Sequence, residues 1–131
     1  MTSPESKAQA KAKILDRLME LRHPEGHWEG ELSTSALSTA VAVCALSLVS
    51  PSHANLVDGG VGWLVGHQNP DGGYGDTVKS KSNISTTLLV LASFYISKSQ
   101  QAHAGTIDRI RGWLVAKYGQ TTCLLYTSPS P

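Results

Sequence analysis

The sequence predicts an all-α protein built from repeated helix pairs, and three observations predict it. Two stretches match in register. Leu18, Arg22, Pro24, Glu25, Gly26 and Trp28 run on to Ser33–Thr39, and Leu64, Gln68, Pro70, Asp71, Gly72 and Tyr74 run on to Ser80–Thr86. Pro24 to Pro70 is 46 positions, Trp28 to Tyr74 is 46, and Ser38 to Ser85 is 47. A period in that range, with turn and helix residues each kept in place, marks stacked supersecondary units. Apolar residues between the turns recur at helical spacing, and no stretch shows strand alternation. Gly62-Trp63-Leu64-Val65 also returns as Gly112-Trp113-Leu114-Val115, the opening of a third unit. One such unit cannot bury its apolar face alone, so the sequence predicts a piece of something larger.

Each element has its own signals. Ser3, Pro4 and Glu5 start a first helix, proline being tolerated in the first turn. Ile14, Leu15, Leu18, Met19 and Leu21 give it an apolar stripe, and Pro24 with Gly26 is expected to end it. A second helix is expected over about Thr34 to Val49, in which Leu37, Val41, Cys44, Ala45 and Leu48 share an apolar face, with Ser50-Pro51 closing it. A third covers Ala54 to Val65 despite Gly59, Gly60 and Gly62, which are read as permitting close helix approach. Gly66 to Lys81 is polar and turn-rich. Ser82 or Asn83 caps a fourth helix, rich in Leu88, Leu89, Leu91, Phe94 and Tyr95 and running to about Ser97. Thr106-Ile107-Asp108 starts a fifth that ends at Gly119.

Composition bounds the function. With 40% hydrophobic and 16% charged residues, the chain fits a globular protein. The formal net charge is +1 and Lys and Arg are scattered, which leaves no footprint for nucleic acid. Cys44 sits alone in an apolar helix and is expected to be a buried thiol without disulfide logic, suiting a reducing compartment. Met1 to Lys13 lacks the apolar core of a signal peptide, and Ala40 to Val49 is too short and Ser-interrupted to span a bilayer. A cytoplasmic location is expected. The final residues Cys123-Leu124-Leu125-Tyr126-Thr127-Ser128-Pro129-Ser130-Pro131 match a translated transposon adapter from sequencing-library preparation. Residues 1–122 are therefore read as a truncated repeat segment and 123–131 as an artefact.

Trp63-Leu64-Val65-Gly66-His67-Gln68-Asn69-Pro70-Asp71-Gly72-Gly73-Tyr74 resembles the glutamine–tryptophan repeat of squalene–hopene and oxidosqualene cyclases, with Tyr74 in place of tryptophan. The earlier copy keeps Trp28 but has Arg22 where glutamine is expected, and Gly26-His27-Trp28-Glu29-Gly30-Glu31-Leu32 is similar to the segment near the start of bacterial squalene cyclases. The resemblance covers nearly all of Leu15 to Gly119. It implies an α/α toroid, shared with protein prenyltransferases and incomplete in this fragment. It also implies a class II terpene cyclase that cyclises a squalene-like isoprenoid by acid-initiated carbocation chemistry without metal or cofactor, with a peripheral membrane contact left open for the intact enzyme. The residues themselves account for the pattern. A glutamine at a helix end can bond free backbone groups, glycines permit positive φ, and the aromatic can pack while its polar atom finds a partner. Gly26, Trp28, Trp63, Gln68, Gly72, Tyr74 and Trp113 are thus expected to be structural repeat residues.

No catalytic residue is expected within the chain. The cyclases protonate an alkene with an Asp-x-Asp-Asp motif, which does not occur in the sequence. Asp71, Asp76, Glu25, Glu29 and Glu31 are read as turn and cap carboxylates. No metal is expected: His23 and His27 are four apart, but Pro24 and Gly26 break the helix that would align them, and no third ligand is adjacent. Gly72-Gly73-Tyr74-Gly75-Asp76 is one residue short of a calcium-binding nonapeptide and not tandem. Lys79-Ser80-Lys81-Ser82-Asn83 is read as a solvated capping loop rather than a phosphate site. Trp63 and Trp113 are read as inter-repeat packing rather than cavity wall. Two rivals to the cyclase keep the toroid: a prenyltransferase β-subunit, which needs an Asp/Cys/His zinc triad, and a non-catalytic binding module.

Overall fold

The structure, a computed structural model, describes residues 3–119. The tail over residues 123–131 lies outside the described residues. Five α-helices follow in order: α1 (Pro4–Glu20), α2 (Ala36–Val49), α3 (Ala54–Gly66), α4 (Ile84–Ile96) and α5 (Ala104–Tyr118), with a short 3-10 turn at Pro51–His53 before α3. Among the described residues there is no strand, and the fold is all-α. The chain divides into two compact units, Met1–Leu32 and Ser33–Pro131.

The first unit is α1 and the turn that follows it. The Ser3 hydroxyl accepts the Ser6 N–H at 3.2 Å and Pro4 occupies the first turn, where its missing N–H costs nothing. The helix stops at Glu20, before the expected Pro24. Leu21 and Arg22 donate their N–H groups back to the carbonyls of Arg17 and Met19, closing the last turn. The earlier stop frees His23 for the turn and keeps the residue before proline out of the helical region, where it clashes with the proline ring.

In the second unit α2 packs on α3 and α4, and α5 packs on α4. The core joins Ala40, Val43, Val61, Leu64, Val90, Phe94, Ile110 and Leu114. Ser35 caps α2 and Asn83 caps α4, each side chain accepting a backbone N–H three residues on. Gly119, at φ +81°, ends α5 as expected.

The buried face of α2 is not the expected one. Ala36, Ala40 and Val43 are buried, whereas Val41 is 50% and Leu48 74% exposed; Leu37 and Ala45 are exposed too, and Cys44 is only half-buried. The helix is apolar on nearly every side, so its periodicity does not single out one face. Close packing does. A Cβ at Gly60 would lie 2.6 Å from Val43 Cγ2 and 3.6 Å from Thr39 Cγ2, so α3 meets α2 where side chains are small. Gly59 and Gly62 meet no such neighbour, and close approach explains only Gly60.

These three glycines separate propensity from packing. Gly59→Ala and Gly62→Ala should each stabilise the chain by up to about 1 kcal/mol through helix propensity. Gly60→Ala should destabilise it, because forcing a methyl into a filled contact costs about 1–3 kcal/mol, which offsets that gain. Urea unfolding of the three variants checks the ordering.

Candidate functional site

The loop between α3 and α4 joins three helices through the polar side chains of the repeated motif. As α3 ends, the Gln68 amide donates to Gly72 O at 2.9 Å and to Thr106 O, in the first turn of α5, at 3.1 Å. Its carbonyl oxygen accepts from Arg109 Nη1 at 2.9 Å, and Arg109 Nη2 donates to Pro70 O at 3.2 Å. The turn itself is closed by Gly72 N–H to Asn69 O at 2.9 Å and Asn69 N–H to Gly73 O at 3.1 Å. Gly72 has φ +94°, and a Cβ there would lie 2.6 Å from Arg109 O, so both backbone conformation and close approach require glycine. Tyr74 is 1% exposed; its hydroxyl donates to Leu64 O at 2.8 Å and its N–H to Thr87 Oγ1 at 3.0 Å. One of the last carbonyls of α3, which the His67 N–H already caps at 3.2 Å, thereby gains a second donor.

Two carboxylates complete the loop. Asp71 accepts from Gly73 N–H at 3.0 Å, Ser82 Oγ at 2.7 Å and Trp113 Nε1 at 3.1 Å. Burial is the largest single influence on it and pushes its pKa up. Hydrogen bonds from Ser82, Gly73 and Trp113, with the charge of Lys117, together outweigh burial and hold the carboxyl below the usual range. The Asp76 carboxylate accepts from Thr86 and from Asn83 Nδ2, which also lowers its pKa, while its backbone carbonyl accepts from Ser35 Oγ at 2.7 Å. Asp76 thus ties the caps of α2 and α4 together. Burial raises the Tyr74 phenol, against the opposing charge of Arg109.

The first copy has the same turn. Arg22 Nε donates to Gly26 O at 3.0 Å, as the Gln68 amide does to Gly72 O. Gly26 N–H donates to His23 O and His23 N–H to His27 O, both at 2.8 Å, and Gly26 has φ +96°. Trp28 Nε1 donates to Leu18 O at 2.7 Å, ten residues back, the same separation as Tyr74 from Leu64. Arg22 therefore does locally what Gln68 does, and its guanidinium carbon lies 5.6 Å from the Trp28 ring centroid.

The matching tryptophans do not share an environment. Trp113 is 5% exposed and bonded to Asp71. Trp63 is half-buried and stacks on His67, ring centroids 4.0 Å apart. The roles of Arg109, Thr86 and Thr87 gave no signal in the sequence, because the fold brings them to loop residues: Arg109 is 41 residues from Gln68, and Thr86 and Thr87 bond Asp76 and Tyr74. In the segment 79–83, the side chains of Ser80, Ser82 and Asn83 are bonded to Thr77, Asp71 and Asp76. Beside His23 and His27 the structure supplies what the spacing did not: Glu25 lies with them, one ligand atom from each within 4.8 Å of the others.

Neither loop aspartate suits the protonation of an alkene. A general acid for that step needs a raised proton affinity, and both carboxyls are shifted the opposite way. Among the described residues no helix is long and apolar enough to cross a membrane. The family model described as squalene-hopene cyclase N-terminal domain matches residues 12–128 of the 131-residue chain. No curated protein matches the chain, and no solved structure does.

Tyr74→Phe should cost about 0.5–1.5 kcal/mol, since it removes one buried hydrogen bond while Leu64 O keeps the His67 N–H. Thermal unfolding checks it, with Tyr95→Phe, at a 43% exposed position, as the smaller control. The lowered carboxyls fix a pH dependence. Their contribution is present above the unfolded aspartate pKa of about 3.9 and is lost as pH falls through the folded values. Melting temperature should therefore drop on acidification below about pH 4, and Asp71→Asn with Asp76→Asn should flatten that slope.

Proposed function

The chain belongs to the squalene-hopene cyclase N-terminal domain family, and from that premise we propose that it is the N-terminal part of a class II terpene cyclase. The whole enzyme cyclises a linear, squalene-like isoprenoid by protonating an alkene and guiding the resulting carbocation. The reaction uses no metal or cofactor, and the apolar substrate reaches the enzyme from a membrane surface. This segment supplies scaffold and no catalytic residue. Gly26, Trp28, Trp63, Gln68, Gly72, Tyr74 and Trp113 brace successive helix pairs of the toroid.

The observation that carries the proposal is the doubled turn. Trp28 and Tyr74 each bond a carbonyl ten residues upstream, and Arg22 and Gln68 each bond the glycine carbonyl of their own turn. A fold holding a carbocation gains from walls that do not rearrange, and repeated polar locks at helix ends supply that rigidity. Fold likeness alone does not assign chemistry, so the test is chemical.

The coding sequence beyond residue 122 should contain an Asp-x-Asp-Asp motif and further glutamine–aromatic turns. The full-length protein should convert squalene to cyclic product, and replacing the motif's aspartates with asparagine should abolish turnover. The 131-residue chain alone should convert none. A full-length toroid with an Asp/Cys/His zinc triad, or one with neither acid nor zinc ligands, would move the assignment to a prenyltransferase-like subunit or to a binding module.

A further inference from the structure

The turn after α1 carries side chains that its scaffold role does not use. His23, Glu25 and His27 take the places that Asn69, Asp71 and Gly73 hold in the second copy. In the second copy Gly73 is obligatory, because a Cβ would lie 2.6 Å from Ser82 Cβ and 2.9 Å from the Trp113 ring. In the first copy the same position carries an imidazole. The backbone beneath it is held by the two cross-turn bonds between His23, Gly26 and His27 and by Arg22 Nε on Gly26 O.

On this frame we propose a transition-metal site formed by His23, Glu25 and His27, of a kind suited to Zn²⁺. One ligand atom from each residue lies within 4.8 Å of the other two, and the imidazole centroids are 4.6 Å apart. Two imidazoles and a carboxylate are a borderline donor set that favours zinc over magnesium or calcium, and they leave a coordination position for water. Glu29 Oε1 sits 3.3 Å from His27 Nε2, close enough to orient the ring as an outer-sphere carboxylate does. Glu25 and Glu29 set two negative charges against the single cation of the turn, Arg22, whose guanidinium lies over Trp28. Binding displaces the long Glu25 N–H contact to His23 Nδ1, at 3.3 Å, and draws three ligands together across a turn of five residues. Zinc there would cross-link the turn that follows α1.

The test uses the untagged 131-residue chain titrated with Zn²⁺ by calorimetry, with the melting temperature followed in parallel. The expected result is one zinc per chain, a melting temperature that rises with zinc, and affinity about tenfold or more weaker in Glu25→Gln and in His27→Ala. The triple variant His53→Ala, His67→Ala and His103→Ala should bind as the parent does. Circular dichroism confirms that each variant keeps its helix content. Saturable binding that survives His23→Ala with His27→Ala in a folded chain would overturn the site, as would no binding by the parent at millimolar Zn²⁺.

Discussion

The described structure depends on how the ends of its helices are satisfied. The last carbonyls of a helix have no donor within it, and left unpaired in a packed interior each costs on the order of 1–3 kcal/mol. Here an aromatic side chain ten residues downstream turns back and donates to one of them, from Trp28 Nε1 to Leu18 and from Tyr74 Oη to Leu64. To make that bond the chain must reverse sharply between helix and aromatic. The reversal demands positive φ at Gly26 and Gly72 and a side chain that bonds their carbonyls. Glutamine, glycine and aromatic are thus one device.

Around the second copy the device extends to other helices. Gln68 reaches Thr106 and is itself held by Arg109, while Asp71 collects Ser82 from the start of α4 and Trp113 from α5. Asp76 does the same between the caps of α2 and α4. Small residues set the spacing between elements: Gly60 admits Val43, Gly72 admits the backbone of Arg109 and Gly73 admits Trp113. Polar locks at helix ends and small residues at helix contacts together fix how the elements of the repeat meet.

Much of this was legible in the sequence because the repeat is written in turn residues. Pro24 with Pro70, Gly26 with Gly72 and Trp28 with Tyr74 located the turns and the all-α class before any coordinates, and the helix boundaries agreed to about a residue except at the end of α1 and the starts of α2 and α5. The buried face of α2 was not legible. A helix with apolar residues on every side has no single moment, and the contact was chosen by Ala36, Ala40 and Gly60 rather than by Leu37, Val41 and Leu48. Nor were the roles of Arg109, Thr86 and Thr87 legible, since each holds a loop residue that only the fold brings to it. Glu25 was missed beside His23 and His27 because spacing was judged against a helix, whereas a tight turn brings the three together.

The central claim is that the two turns are one physical device despite the exchange of Arg22 for Gln68 and of Trp28 for Tyr74. Amide hydrogen exchange measured by NMR at His23 and Gly26 against Asn69 and Gly72 tests it most directly, because those four N–H groups close the two turns. The account predicts protection at all four, well above that of an unstructured loop. Protection at Asn69 and Gly72 with free exchange at His23 and Gly26 would contradict it, leaving the first copy a likeness of sequence without the lock.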